Sequence, residues 1–191
     1  NLLVCFFAGA LISLVSVSAT AEQCGNENQT LYLIAQRDID NFQTDYGPCD
    51  TAFSIEIDLG EDIVNLDGLS GVEEITGGLT ISENDRLEST AGMSGLVKAG
   101  GITITGNDRL EEVSFPNLVD LGAFVSYSNN RLEEVRFPSL TTATEITDRT
   151  RGNDDLELLD LPKLEQISAI TISNSNSFEE ISAPKLVTIG S

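Results

Sequence analysis

Residues 101–118 read GITITGNDRLEEVSFPNL, and this stretch recurs along the chain with a period close to 22 residues. Three further copies occupy residues 123–140, 145–164 and 169–186. One apolar column has spacings of 22, 24 and 22 residues and consists of Leu110, Leu132, Leu156 and Phe178. A fixed period of this length predicts a repeat protein, in which each unit buries its apolar side chains only by stacking on its neighbours.

Two more columns support the repeat. A proline column consists of Pro116, Pro138, Pro162 and Pro184, and a leucine column consists of Leu118, Leu140, Leu164 and Leu186. The third copy carries a two-residue insertion near residues 149–151, an earlier copy at 78–96 lacks the proline, and a degenerate first copy covers 52–76. The sequence therefore predicts about six rungs of 22–24 residues.

Each rung is predicted to contain two short strands. In the first, Ile102 and Ile104 alternate with Thr103 and Thr105, a period typical of a half-buried strand. The second carries an apolar pair such as Val113 and Phe115 and ends at a proline, which cannot donate to a ladder. Between the strands, Asn and Asp pairs are predicted to form the corner, because both residue types tolerate left-handed backbone. The fold class is therefore mainly β, a parallel β-solenoid.

Residues 1–21 have the features of a secretory signal peptide. The segment is apolar or small throughout, no charged residue precedes Glu22, and Ala19, Thr20 and Ala21 resemble a cleavage site. A transmembrane anchor is the alternative, but serines interrupt the tract and it is short for a span. The protein is therefore predicted to be secreted.

Residues 22–51 are predicted to form an N-terminal cap before a solenoid at 52–191. Cys5 falls in the signal segment, which leaves Cys24 and Cys49 to form a disulfide in an oxidising compartment. A short helix is expected at 38–46, and Asn28 begins the Asn-x-Thr sequon for N-glycosylation.

The net charge of the chain limits the classes of partner that it can bind. The chain has 31 acidic and 10 basic residues and a net charge of -21, all of it after residue 21. Such a surface repels nucleic acid and anionic lipid and favours cations or basic partners.

The repeats resemble the receptor L-domain family, whose pattern is a Cys, a short helix ending at a second Cys, and copies of G-x-L-x-I-x-x-N-x-x-L-x-x-[IVL]-x-[FL]-P-x-L. Cys24, residues 38–49, 78–87 and 101–122 carry the resemblance, which covers roughly residues 24–190. The Phe-Pro-x-Leu form is most similar to fungal and other microbial GPI-anchored cell-wall-organisation proteins, and insulin- and EGF-receptor ectodomains share the pattern. The resemblance implies a right-handed solenoid of leucine-rich-repeat type that is extracellular and non-catalytic. With two cysteines after residue 21, a growth-factor receptor with a cysteine-rich module is not supported.

The residue types disfavour an enzyme. The chain has no His, and its glutamates recur because the repeat recurs, whereas a catalytic pair should depart from it. A polysaccharide-degrading enzyme and a calcium-dependent adhesion protein remain weaker alternatives, since acidic residues stack in both. The sequence predicts no catalytic residues, no cofactor and no bound metal.

The outward face of the first strands is the candidate binding face, because parallel solenoid sheets expose an extended row of side chains. Its residues are Thr80, Ser82, Thr103, Thr105, Val125, Tyr127, Thr147, Arg149, Thr171 and Ser173. A Thr-x-Thr array also occurs in ice-binding solenoids, but Val125, Tyr127 and Arg149 interrupt it. A solvated face without a ligand is the other interpretation.

The predicted function is an extracellular or cell-surface recognition module that binds a protein or glycan ligand. The alternative is a structural cell-wall-organisation protein without a discrete ligand. A tether to the membrane or wall, such as a GPI anchor, is expected in a part of the protein beyond this sequence.

Overall fold

The computed structural model describes residues 22–148 and 153–190, which form a mainly β protein with parallel strands stacked as a β-solenoid of about seven turns. The predicted signal peptide, the insertion near residues 149–151 and Arg149 lie outside the described residues.

The main sheet has nine strands, all paired in parallel. They are Thr30–Leu33 (β1), Thr51–Ala52 (β2), Ser54–Asp58 (β3), Glu74–Ser82 (β4), Lys98–Thr105 (β5), Asp120–Tyr127 (β7), Thr142–Asp148 (β9), Gln166–Ile172 (β11) and Thr188–Ile189 (β13). From β4 onward, successive long strands belong to successive repeats, so the strands line up along the stacking axis. The alternating pattern predicted from residues 102–105 is confirmed.

The second sheet has four short parallel strands, and each follows a longer strand of the same repeat. They are Glu112–Ser114 (β6), Glu134–Arg136 (β8), Leu158–Asp160 (β10) and Glu180–Ser182 (β12). Each strand ends two residues before a proline of the repeat, as Ser114 does before Pro116. Four repeats therefore contain the two strands predicted for a rung.

The core is one apolar cluster that runs along the solenoid axis. Ile102, Ile104, Val113 and Leu110 are all at most 1% exposed, and burial of such side chains stabilises the fold by about 1.5–3 kcal/mol each. Aromatic packing joins the turns, since the rings of Phe115 and Phe137 stack with centroids 6.1 Å apart.

The segment predicted to be a cap contributes a strand to the main sheet. β1 pairs in parallel with β3, and its buried residues Leu31 and Leu33 lie beside Ile55 and Ile57. The stack therefore begins before residue 52, which accounts for about seven turns where about six were predicted. β1 lies 24 residues before its partner β3, within the predicted rung length, but the residues that follow it form helices and do not carry the Leu and Pro columns of the later repeats.

The helix predicted at 38–46 is present as two short helices, Gln36–Asp40 (α1) and Phe42–Asp45 (α2), with Asn41 between them. Ile39 and Phe42 are buried. A 3-10 turn, Asp67–Leu69, lies against them, and a Cβ at Gly68 would be 1.9 Å from the carbonyl oxygen of Ile39. A side chain at position 68 would therefore force the helices away from the solenoid.

Within the described ranges, no helix has the length and apolar character needed to cross a membrane.

Candidate functional site

The main sheet brings most of the predicted binding face together. Thr80, Thr103 and Val125 are Cα partners on β4, β5 and β7, and Val125 is followed in register by Thr147 and Thr171. A second row places Ser82, Thr105 and Tyr127 side by side on the same three strands. The side chains of both rows on β4, β5 and β7 are partly exposed.

Two residues of the predicted binding face, Thr147 and Ser173, are less available to a ligand than the sequence pattern implied. Thr147 is only 5% exposed, and its hydroxyl donates a hydrogen bond to the Glu145 carboxylate. Its inclusion in an exposed face is therefore wrong, because period-two alternation gives the direction of a side chain but not what covers it. The Ser173 hydroxyl donates to the Asp148 carbonyl oxygen at 2.9 Å.

The centre of the face is uncharged, although the chain carries a net charge of -21. A third outward row there is small, with Gly78, Gly101 and Ala123 as successive Cα partners. Carboxylates begin on both neighbouring strands: Asp58 on β3 accepts a 2.6 Å hydrogen bond from Ser82, and Glu145 on β9 is the Cα partner of Ala123. The central surface offers hydroxyl groups and Tyr127, which suit hydrogen bonding to a neutral partner.

A ladder of buried asparagines forms the corners after β4, β5, β7 and β9. Its described members, all 0% exposed, are Asn84, Asn107, Asn129 and Asn153. Asn107 donates from Nδ2 to the Ile81 carbonyl at 3.0 Å, and its Oδ1 accepts from the backbone N–H of Asn84 at 3.0 Å. The same side chain thus satisfies backbone groups of the preceding turn that the bend would otherwise leave unpaired.

The Asn and Asp pairs lie in the corner, as predicted, but the left-handed backbone given as the reason lies one residue before each of the first three pairs. The residues with positive φ come immediately before the buried asparagines: Glu83 at 56°, Gly106 at 67° and Ser128 at 58°. The left-handed residue bends the chain just before the asparagine, and this bend directs the asparagine side chain into the core. The asparagines are therefore structural and offer no group to a ligand.

A second polar cluster interrupts the apolar column on the inner side of β7 and β9. Ser126 and Asp148 occupy the register positions next to Ile104 and are 1% and 3% exposed. Asn153 donates from Nδ2 to Asp148 Oδ1 and to Ser126 Oγ, both at 2.9 Å, and the Ser175 hydroxyl also donates to Asp148. The sequence does contain a signal for this departure from the repeat, because the inward column that holds Ile104 continues with Ser126 and Asp148 in the next two repeats.

Burial raises the pKa of the Asp148 carboxyl group above its ordinary value, and the hydrogen bonds from Ser175 and Asn153 offset part of the rise. In residues 22–148 and 153–190, no cationic side chain forms an ion pair with it. Among the described residues, the side chains that hold the carboxylate are the neutral donors Asn153 and Ser175.

Asp148→Asn is expected to stabilise the protein at neutral pH by about 1 kcal/mol, or about 3 °C in Tm, because it removes a poorly solvated charge. The native state holds the Asp148 proton more tightly than the unfolded state, so stability should fall as pH rises from the ordinary carboxyl pKa through the raised value. Thermal unfolding across pH measures both effects. Asp155→Asn, at an exposed carboxylate that does not act on Asp148, is the control, and a variant at position 148 that keeps the wild-type pH slope would contradict the assignment.

In the described ranges there is no group of three or more His, Cys, Asp or Glu placed to hold a metal ion. On the second sheet, Arg136 Nε donates to Glu134 at 2.7 Å and lies 3.8 Å from Glu112 Oε1, and Arg136 Nη1 lies 3.5 Å from Asp160 Oδ2. The hydrogen bond to Glu134 raises the pKa of Arg136, so this cluster is best explained as a cross-strand ion-pair network.

Two grooves open on the side of the solenoid formed by the first residues of the long strands, a region that the sequence analysis did not consider. One, of about 290 Å³, is lined mainly by β9, β11 and β13, and the other, of about 270 Å³, lies near β2 and β4. A groove between outward side chains depends on how the backbone curves, and the repeat pattern does not specify that curvature. The sequence therefore contains no signal for these two grooves.

Comparison of the chain with protein-family models, with curated proteins and with solved structures finds no match, so the functional inference rests on the geometry of the solenoid itself.

Proposed function

We propose that this protein is an extracellular, non-catalytic recognition module of the receptor L-domain type. In this proposal the solenoid is right-handed, of the leucine-rich-repeat class, and its first turn is a cap held by the Cys24–Cys49 disulfide. The disulfide supports an oxidising compartment, because such bonds are rare in reducing ones. The regular spacing of the Leu, Pro and Asn columns supports the repeat class.

Secretion and surface attachment belong to the same proposal. Residues 1–21 would be a signal peptide, and Asn28 would carry a glycan, since it lies exposed in a turn next to the disulfide. A GPI anchor or another tether would hold the module at the membrane or cell wall, as in the microbial surface proteins that the repeats resemble.

The observation that carries the proposal is an uncharged patch on the outward face of β4, β5 and β7 of a strongly acidic molecule. The patch consists of the nine outward positions in residues 78–82, 101–105 and 123–127, which hold Gly, Ala, Ser, Thr, Val and Tyr only; the charged residues of these strands, Glu74, Lys98 and Asp120, stand at the opposite end. The strands beneath are fixed by parallel pairing on both sides, so the surface is organised before a ligand arrives. Preorganisation lowers the entropy cost of binding.

Saturable binding of the secreted full chain to an array of immobilised extracellular proteins and glycans is the expected result, with Thr103→Glu reducing affinity at least about tenfold. The substitution places a charge at the centre of the face without entering the core. Ser114→Glu is the matched control, since it adds the same charge on the outward side of β6.

Binding that Ser114→Glu weakens as much as Thr103→Glu would place the ligand elsewhere. Absence of saturable binding to every arrayed component would overturn recognition and favour the structural wall protein.

A further inference from the structure

The groove of about 290 Å³ runs along the stacking axis at the C-terminal turns. One wall is a register row in which Asp120, Thr142, Gln166 and Thr188 follow one another as Cα partners. The other includes Thr144, Ser168 and Gly190, two residues further along their strands. Members of a row are about 4.8 Å apart, the spacing of paired strands. The groove therefore presents two parallel rows of polar groups at a regular interval.

The polar groups of the groove are mostly uncommitted. Thr142 Oγ1 donates to Asp120 Oδ1 at 3.1 Å. In the part of the chain that the structure describes, the side chains of Gln166, Thr144 and Ser168 make no hydrogen bond, and all three residues are exposed. The groove thus combines hydroxyls, which donate and accept, with one amide and one carboxylate.

This combination narrows the ligand class. Asp120 is the only charged residue among the ten that line the groove, so there is too little charge to hold a basic peptide or a divalent cation. An apolar ligand would find little support, because Leu121 and Ile167 are 1% and 3% exposed. A neutral polyhydroxylated molecule fits, since each of its hydroxyls both donates and accepts.

We infer that this groove is a binding site for a neutral saccharide of one or two sugar units. Its volume of about 290 Å³ lies at the small end of ligand sites, which start near 300 Å³. Vicinal hydroxyls of a sugar would bridge the rows, with the Gln166 amide and the Asp120 carboxylate binding from one wall and Thr144 and Ser168 from the other. The inference deepens the proposed recognition function by naming one ligand class, and it rests on that function for its biological setting.

The second groove provides an internal control. It lies on the same register row nearer the N-terminus, and its lining includes Asp50, Glu73, Glu74 and Lys98. Lys98 Nζ lies 3.4 Å from Glu74 Oε1, so these two charges are paired with each other. A neutral sugar is expected to prefer the C-terminal groove, whose lining carries a single charge, that of Asp120.

The test is a titration of the ¹⁵N-labelled full chain with chitobiose, mannobiose and laminaribiose, followed by amide chemical shifts. For at least one sugar, saturable shifts are expected at the Gln166 side-chain amide and at the backbone amides of Thr144 and Ser168. Gln166→Ala should weaken binding about tenfold, whereas Thr51→Ala in the second groove should leave it unchanged. Added salt should have little effect, since the contact is not ionic.

Absence of shifts in the groove at millimolar concentrations of all three sugars, or undiminished binding by Gln166→Ala, would overturn the inference. Shifts confined to Thr103 and Tyr127 would also exclude the groove, while leaving the recognition function of the uncharged face intact. Groove binding without any effect of Thr103→Glu on array binding would support the saccharide site and contradict the proposed role of the face.

Discussion

Asn107→Ala is expected to lower the free energy of unfolding by about 3 kcal/mol, because it leaves several buried backbone groups without partners. The lost interactions are the hydrogen bonds to the Ile81 and Thr105 carbonyls and the one from the Asn84 N–H. The neighbouring asparagine, Asn129, also loses a donor to its Oδ1. Urea unfolding followed by circular dichroism measures the change.

Asn130→Ala is the matched control for this prediction. Asn130 lies in the equivalent corner one turn further on, but it is exposed, and its side chain donates only to Asp108 at 3.0 Å. An effect within about 0.5 kcal/mol is expected there. Equal losses in the two variants would mean that the buried ladder adds nothing beyond the polarity of the corner.

Removal of the Cys24–Cys49 disulfide is expected to destabilise the protein by about 3 kcal/mol, since the bond closes a loop with a sequence separation of 25 residues. Cys24→Ser/Cys49→Ser should lower Tm by about 9 °C, and reduction of the wild-type protein should have a similar effect. Because Cys24 N–H also donates to the Thr51 carbonyl at 2.7 Å, loosening should begin where the segment joins the main sheet.

Hydrogen exchange locates this effect. The amides of Leu31 and Leu33 on β1 should exchange faster in the double variant, while those of Ile102 and Ile104 should change little. Glu27→Ala, an exposed substitution inside the same loop, is the control and should leave Tm unchanged. If β1 exchanges at the wild-type rate in the double variant, the disulfide does not hold this segment in place.

Much of the architecture could be predicted from the sequence because each turn of a solenoid uses the same pattern of buried and exposed residues. The columns of Leu110, Leu118 and Pro116 recur often enough to identify a stacked repeat without knowledge of the whole fold. The inward direction of Ile102 and Ile104 followed from alternation alone, and the structure confirms it.

The errors arose where the chain departs from the repeat or where the repeat has two interpretations. β1 keeps the spacing of a rung, 24 residues before β3, but the residues after it form helices and lack the Leu and Pro columns. An Asn-Asp corner is compatible both with left-handed asparagine and with a buried asparagine that follows a left-handed residue, and only the backbone distinguishes them. The burial of Thr147 and the groove beside Gln166 depend on the path of neighbouring backbone, which a linear pattern does not contain.

The contacts of the asparagine ladder reach only the adjacent turns, which has an evolutionary consequence. Asn107 bonds to the turn that contains Ile81 and to the turn that contains Asn129. Recombination that duplicates or deletes one whole repeat would therefore bring together the same kinds of groups and keep every contact type. The number of repeats can therefore differ between related genes while the hydrogen bonds of the asparagine ladder stay the same.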